Sequence, residues 1–207
     1  SSVDFKNRVR NNNVLGKVYD QNTLKANAYI EYIQGRVDAI FGGCYGDYDY
    51  SEGGRYHSHI TTTGVPHLGN AFVNFRPAES VTNNASNKVS RIYGAGQGQA
   101  EEANKDKMQD ASYVLIDIPN GVANYANMEI FGGGAYGGVG MYVDQTAAIA
   151  PKATATIDLI HGQVKAAYGA SHHQGVTRRT MVNVPTDSTI NIQKIFGGAY
   201  GDDNNFA

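Results

Sequence analysis

The densest group of residues able to do chemistry is His57, Ser58 and His59, with Glu52 and His67 close by. Alternate residues of an extended strand project to one face. His57 and His59 could therefore hold a divalent cation between two imidazoles, with His67 or Glu52 as a third ligand. The spacing matches no established zinc signature, and the following run Ile60-Thr61-Thr62-Thr63-Gly64 suits a solvated loop equally well. Asp47 and Asp49, and the pair Asp202-Asp203 near the other end, are hard oxygen donors of the kind calcium takes. The nonapeptide calcium-binding pattern is absent. The expectation is no cofactor, with calcium or another divalent metal at these positions as the exception.

A second group is His172 and His173, followed by Arg178 and Arg179. Adjacent side chains of a strand point apart, so the two histidines make a poor chelate. Together with Arg178 they could bind an anionic sugar or carboxylate. Tyr48, Tyr50 and Tyr56 form an aromatic stretch, and Tyr142 lies in a comparable one. Tyrosines among Asn and Gly give contact area at low entropic cost, as a glycan- or protein-binding surface requires. Asp117, Asp158, His161 and Arg178 are the residues an acid–base reaction would use. Asp117 and Asp158 sit at matching strand positions, where a plain polar ladder is the competing reading. No catalytic residue is assigned.

These residues must be positioned by elements that the chain repeats. Ile40-Phe41-Gly42-Gly43-Cys44-Tyr45-Gly46 returns as Ile130-Phe131-Gly132-Gly133-Gly134-Ala135-Tyr136-Gly137 and as Ile195-Phe196-Gly197-Gly198-Ala199-Tyr200-Gly201. Looser copies are Arg91-Ile92-Tyr93-Gly94 and Lys165-Ala166-Ala167-Tyr168-Gly169, with a remnant at Gly16-Lys17-Val18-Tyr19. Before each full copy stand alternating or apolar runs of strand type, such as Ala28 to Ile33 and Ser112 to Ile118. Gln34-Gly35, Pro119-Asn120-Gly121 and His161-Gly162 mark turns. The unit reads strand, turn, second strand, aromatic, glycine turn, excursion. Its shortest spacing is close to one coil of a stacked repeat, ~20 residues. An all-β parallel β-helix is the expected fold, because stacked coils must resemble each other to cover one another. A β-sandwich or barrel is the alternative. The whole chain, 1–207, is expected to form one domain within a longer protein, with insertions near 47–70, 76–87, 97–111 and 138–152.

Composition excludes some partners. The 207 residues carry a net charge of −2, 25 Gly and 14 Tyr but no Trp. No basic footprint for nucleic acid exists, and no apolar run reaches membrane-spanning length. The start has neither the basic nor the apolar region of a signal peptide. The single cysteine, Cys44, excludes an internal disulfide and reads as a packing residue. Gly94-Ala95-Gly96-Gln97-Gly98 lacks the lysine and following helix of a phosphate loop.

The Ile-Phe-Gly-Gly-Gly-x-x-Gly strings alternating with Val-x-Ile strands resemble the large adhesin-like parallel β-helix surface proteins of gut anaerobes. The resemblance covers about residues 28 to 201. It implies a right-handed β-helix, an extracellular, cell-surface or outer-membrane setting, and a role in adhesion or surface structure. It brings no catalytic residues. The functional expectation is a surface adhesin or structural protein that binds glycan or protein through its insertions, with oligomers as an option. The alternatives are a polysaccharide lyase or glycoside hydrolase, and a phage or secreted fibre segment.

Overall fold

The computed structural model describes residues 26–43, 68–78, 87–97, 111–119, 125–136, 139, 155–173, 177 and 179–201. Among the described residues nine strands are formed: β1 (Ala26–Tyr32), β2 (Arg36–Phe41), β3 (Leu68–Phe75), β4 (Lys88–Tyr93), β5 (Ala111–Asp117), β6 (Glu129–Phe131), β7 (Ala155–Tyr168), β8 (Thr180–Asn183) and β9 (Thr189–Phe196). They form one sheet in the order β1-β3-β5-β7-β6-β4-β2, with β8 and β9 also paired to β7. Every strand pairing among the described residues is parallel.

The expected β-helix is corrected here. The described strands build a single parallel sheet curved into a half-barrel, continuous through β7, rather than a β-helix. The sandwich and closed-barrel alternative also fails, since those folds pair antiparallel strands or leave no open edge. The physical reason lies at Gly162. His161-Gly162 was expected to be a turn separating two strands. Instead Gly162 takes φ 116 and bends β7 while His161 and Gly162 stay paired with Thr189 and Ile190. The left-handed backbone costs glycine no steric penalty. Gly35, with φ 118, makes the corresponding corner between β1 and β2.

Two ladders therefore share β7. The odd-numbered strands β1, β3 and β5 stack on its first half, and β2, β4 and β6 stack on its second. In the second ladder, register places Phe41, Tyr93, Phe131, Tyr168 and Phe196 in one row. Their rings stack with centroids 4.7, 5.0, 4.9 and 5.0 Å apart and planes within 14° of parallel. Those separations match the ~4.8 Å spacing of paired strands, so ring stacking and backbone pairing reinforce each other. Each aromatic pair contributes ~0.5–1.5 kcal/mol beyond its buried area.

The inner core runs across both ladders. Val73, Val114, Ile157, Ile92 and Ile130 are fully buried in it. Tyr125 closes the core at the corner. It packs edge-on against Phe75, and its hydroxyl lies 3.1 Å from that of Tyr32, which donates to Gly35 O at 2.5 Å. In β3 and β5 the outward rows are buried as well, including Phe72 and Leu115. Burial on both faces is usual for parallel sheets and explains the nearly continuous apolar run of β5.

Glycines fix how closely the ladders meet. A Cβ on Gly42, Gly94, Gly132 or Gly169 would drive into the carbonyl oxygen of the next rung's glycine: Gly94, Gly132, Gly169 and Gly197 in turn. The same Cβ positions lie against Ala71, Ser112, Ala155 and Thr180, which form one register row of the first ladder. Small residues in one ladder thus face glycines in the other. Ser112 Oγ and Thr180 Oγ1 donate to the carbonyls of Gly132 and Gly197 across this contact.

Gly132→Ala is expected to lower unfolding free energy by about 1–3 kcal/mol, the usual cost of overpacking a tight contact. Urea denaturation followed by far-ultraviolet circular dichroism measures it. Unchanged stability would mean the rungs are not this close.

Candidate functional site

Most of the residues singled out for chemistry lie outside the described residues. These are Asp47, Tyr48, Asp49, Tyr50, Glu52, Tyr56, His57, His59, His67, Tyr142, Arg178, Asp202 and Asp203. Among the described residues no three His, Cys, Asp or Glu side chains are placed to share a metal ion. Two polar clusters are described, one on each side of the corner.

The first cluster joins the aromatic row to the histidines. His172 and His173 follow the Tyr168-Gly169 copy in a bend rather than a strand. Their rings do not diverge: the centroids are 3.9 Å apart, tilted by 49°. His172 is buried and sits against Phe131 at 4.7 Å and Tyr200 at 5.1 Å, with Nδ1 3.3 Å from Tyr93 Oη. His173 stacks on Tyr136 at 4.6 Å. Backbone bonds from His172 N to Gly134 O and from His173 N to Ala135 O hold the bend against the middle copy of the phrase. The divergence of adjacent side chains belongs to a strand, and in this bend the two imidazoles lie together. The Gly-Gly turn positions these rings, and His172 serves as a packing aromatic.

Burial raises the Tyr93 phenol above its ordinary value of 10.0, with Arg91 opposing the shift. Burial likewise raises that of Tyr168, with Glu129 and Tyr200 adding to it. Both hydroxyls stay protonated through neutral pH and act as neutral hydrogen-bonding groups. Alongside them Glu129 receives Lys165 Nζ at 2.8 Å and Arg91 Nε at 3.7 Å. The Glu129 hydrogen bond raises the Lys165 ammonium.

The second cluster lies beyond the other end of the first ladder. His161 Nδ1 is 2.8 Å from Asp117 Oδ1, and Arg76 Nε is 3.2 Å from Asp117 Oδ2. Asp117 is buried, while His161 and Arg76 remain substantially open to solvent. A carboxylate that orients an imidazole beside a guanidinium can place a base and a positive charge together. The sequence singles out Asp117 and His161, but it aligns Asp117 with Asp158. A register shift after Ile116 sets Asp117 opposite His161, while Asp158 lies opposite Leu115. Asp158 is instead held by the Tyr113 hydroxyl and by Asn183 Nδ2 at 2.7 Å. Arg76 was missed. Its position directly after β3, one rung below Asp117, was the available signal.

No family model, curated protein or solved structure matches the chain. The clusters and the framework that holds them carry the functional argument alone.

Raised tyrosines make stability pH-dependent. Above about pH 10 the unfolded phenols lose their protons while folded Tyr93 and Tyr168 keep theirs, so the unfolded state binds fewer protons and stability falls. Stability should decline with rising pH until the folded groups also ionise. Tyr93→Phe combined with Tyr168→Phe should make that decline shallower between pH 10 and 12, measured as melting temperature against pH. An identical slope in the double variant would refute the assignment.

Proposed function

We propose that this chain is an extracellular surface protein of adhesin or structural type, with a rigid parallel-sheet stem that presents binding segments for glycan or protein. One observation carries the reading: the long connections have their bases pinned shut and aligned. The connection from β2 to β3 leaves at Gly42 and enters β3 at Leu68, and Ala71 within β3 lies 3.1 Å from a Cβ built on Gly42. Gly94 and Ser112 flank the β4–β5 connection in the same way, and Gly132 and Ala155 flank β6–β7. Successive bases are one rung apart in the same register rows. A stem that closes each excursion at its root limits the ordering entropy left to the excursion itself. Such a scaffold suits loop-borne recognition, where conserved framework and variable contact are separated. Tyr48, Tyr50 and Tyr56 belong to the first of these excursions, and Tyr142 to the third.

Replacing residues 45–66 with a short Gly-Ser linker tests this directly. The intact chain should bind a subset of a glycan and matrix-protein array, and the replacement should weaken that binding at least about tenfold while the melting temperature holds. Undiminished binding after replacing each excursion in turn, or no binding across the array, would sink the reading.

The Arg76–Asp117–His161 cluster favours one rival, a polysaccharide lyase or glycoside hydrolase. Lyase chemistry requires a base for the proton beside an acidic sugar's carboxylate and a cation to neutralise that carboxylate. His161 and Arg76 fit those roles. New unsaturated products from acidic polysaccharides, abolished by His161→Ala, would establish the rival. Absence of products across acidic and neutral polysaccharides would dismiss it.

A further inference from the structure

The outer face of the second ladder carries charge that the fold does not use. Arg36 on β2 lies in register with Lys88 on β4, and both residues are exposed. Strand spacing sets their backbones ~4.8 Å apart. Like charges directly opposite each other in a sheet are destabilising. Further along the same face that conflict is resolved, because Arg91 and Lys165 share Glu129 between them. Among the described residues no carboxylate lies within ion-pair distance of Arg36 or Lys88. The backbone nevertheless holds the two cations together. Gly35 N donates to Asn87 Oδ1 at 2.6 Å, and Lys88 N donates to Gly35 O at 3.1 Å. Both are thus fixed beside the Gly35 corner, and no contact within the sheet offsets their repulsion.

We propose that Arg36 and Lys88 form the anion subsite for an acidic glycan, a sugar chain bearing uronate or sulfate groups that crosses the rungs. The proposal rests on the glycan-binding reading above and adds a site on the stem itself. A guanidinium and an ammonium side by side match one carboxylate or sulfate, the guanidinium through two parallel N–H donors. The neighbouring rungs supply what sugar hydroxyls require. Gln163 on β7 and Asn191 on β9 are register partners, and Asn127 stands just ahead of β6, the rung between Lys88 and Gln163. All three are exposed. Lys88, Asn127, Gln163 and Asn191 each directly precede a residue packed in the inner core, so alternation sets all four on the outer face. Each amide offers both donors and an acceptor to a hydroxyl.

The pattern of charge favours a glycan over other polyanions. The whole chain carries a net charge of −2. Asp38 and Glu129 interrupt the positive charge of this face, where a continuous phosphate backbone would meet repulsion. A sugar chain that separates its charges with hydroxyls meets cations at two rungs and amides at the next three.

Affinity electrophoresis of the intact chain through gels containing polygalacturonate, chondroitin sulfate or dextran provides the test. At least one acidic polymer should retard the parent, more strongly at low ionic strength, and dextran should not. Arg36→Gln combined with Lys88→Gln should weaken that binding at least about tenfold. Its melting temperature should equal or exceed the parent's, since facing like charges are removed. A lower melting temperature would mean that the pair is engaged within the fold, and overturns the proposal. Gln163→Ala combined with Asn191→Ala should weaken acidic-glycan binding about threefold or more. The chain with a Gly-Ser linker in place of residues 45–66 should keep its retardation. Loss there assigns the acidic glycan to that excursion, which overturns the stem site and leaves the surface-binding reading intact. No retardation by either acidic polymer, or equal retardation of the parent and the Arg36/Lys88 variant, overturns the proposal too. So does tighter binding to single-stranded DNA that ignores the amide changes.

Discussion

The parallel, in-register spacing of ~4.8 Å between strands is the constraint on which the rest of this structure depends. At that distance a residue's neighbour above and below is its counterpart in the next rung. Flat rings satisfy the spacing by stacking face to face, as Phe41 through Phe196 do. A glycine carbonyl satisfies it only if the neighbour lacks a Cβ, which accounts for Gly42, Gly94, Gly132 and Gly169. One geometric requirement therefore writes the recurrent phrase. Isoleucine fills the inside, the aromatic stacks outside, and glycine lets the ladder meet its partner. Substitution at any one position is felt by two neighbouring rungs.

The phrase made the pairing legible from sequence but left the architecture open. Equal residues at equal positions require parallel stacking, and the rows through Ile40, Ile92 and Ile130 obey it. The inference from stacked repeats to a β-helix went further than the repeat allows. Sequence similarity between rungs says what lies on what, whereas the number of faces depends on whether each corner interrupts the strand. At Gly162 it does not, and β7 carries both ladders in one curved sheet. A glycine after a histidine reads as a turn in sequence, and only the pairing of His161 with Thr189 reveals a bend. The same limit explains the pairing of Asp117. A shift of one residue after Ile116 has no signature in composition or periodicity, yet it sets His161 rather than Ile160 opposite Asp117, while Asp158 lies opposite Leu115.

The two polar clusters show how position in the sheet sorts similar residues into different work. His172 lies beside the stacked row, where Phe131 and Tyr200 surround it and its ring adds apolar contact. His161 sits at the corner, where the sheet curves away and solvent reaches the imidazole while Asp117 holds its Nδ1. Asp158 is drawn toward the outward face by Tyr113 and Asn183, and each of its carboxylate oxygens accepts one hydrogen bond from the sheet. A buried carboxylate without such partners would be costly. Asp117 and Asp158, alike in sequence context, therefore differ in what they leave available: one orients a solvent-facing base, and the other is consumed by the sheet.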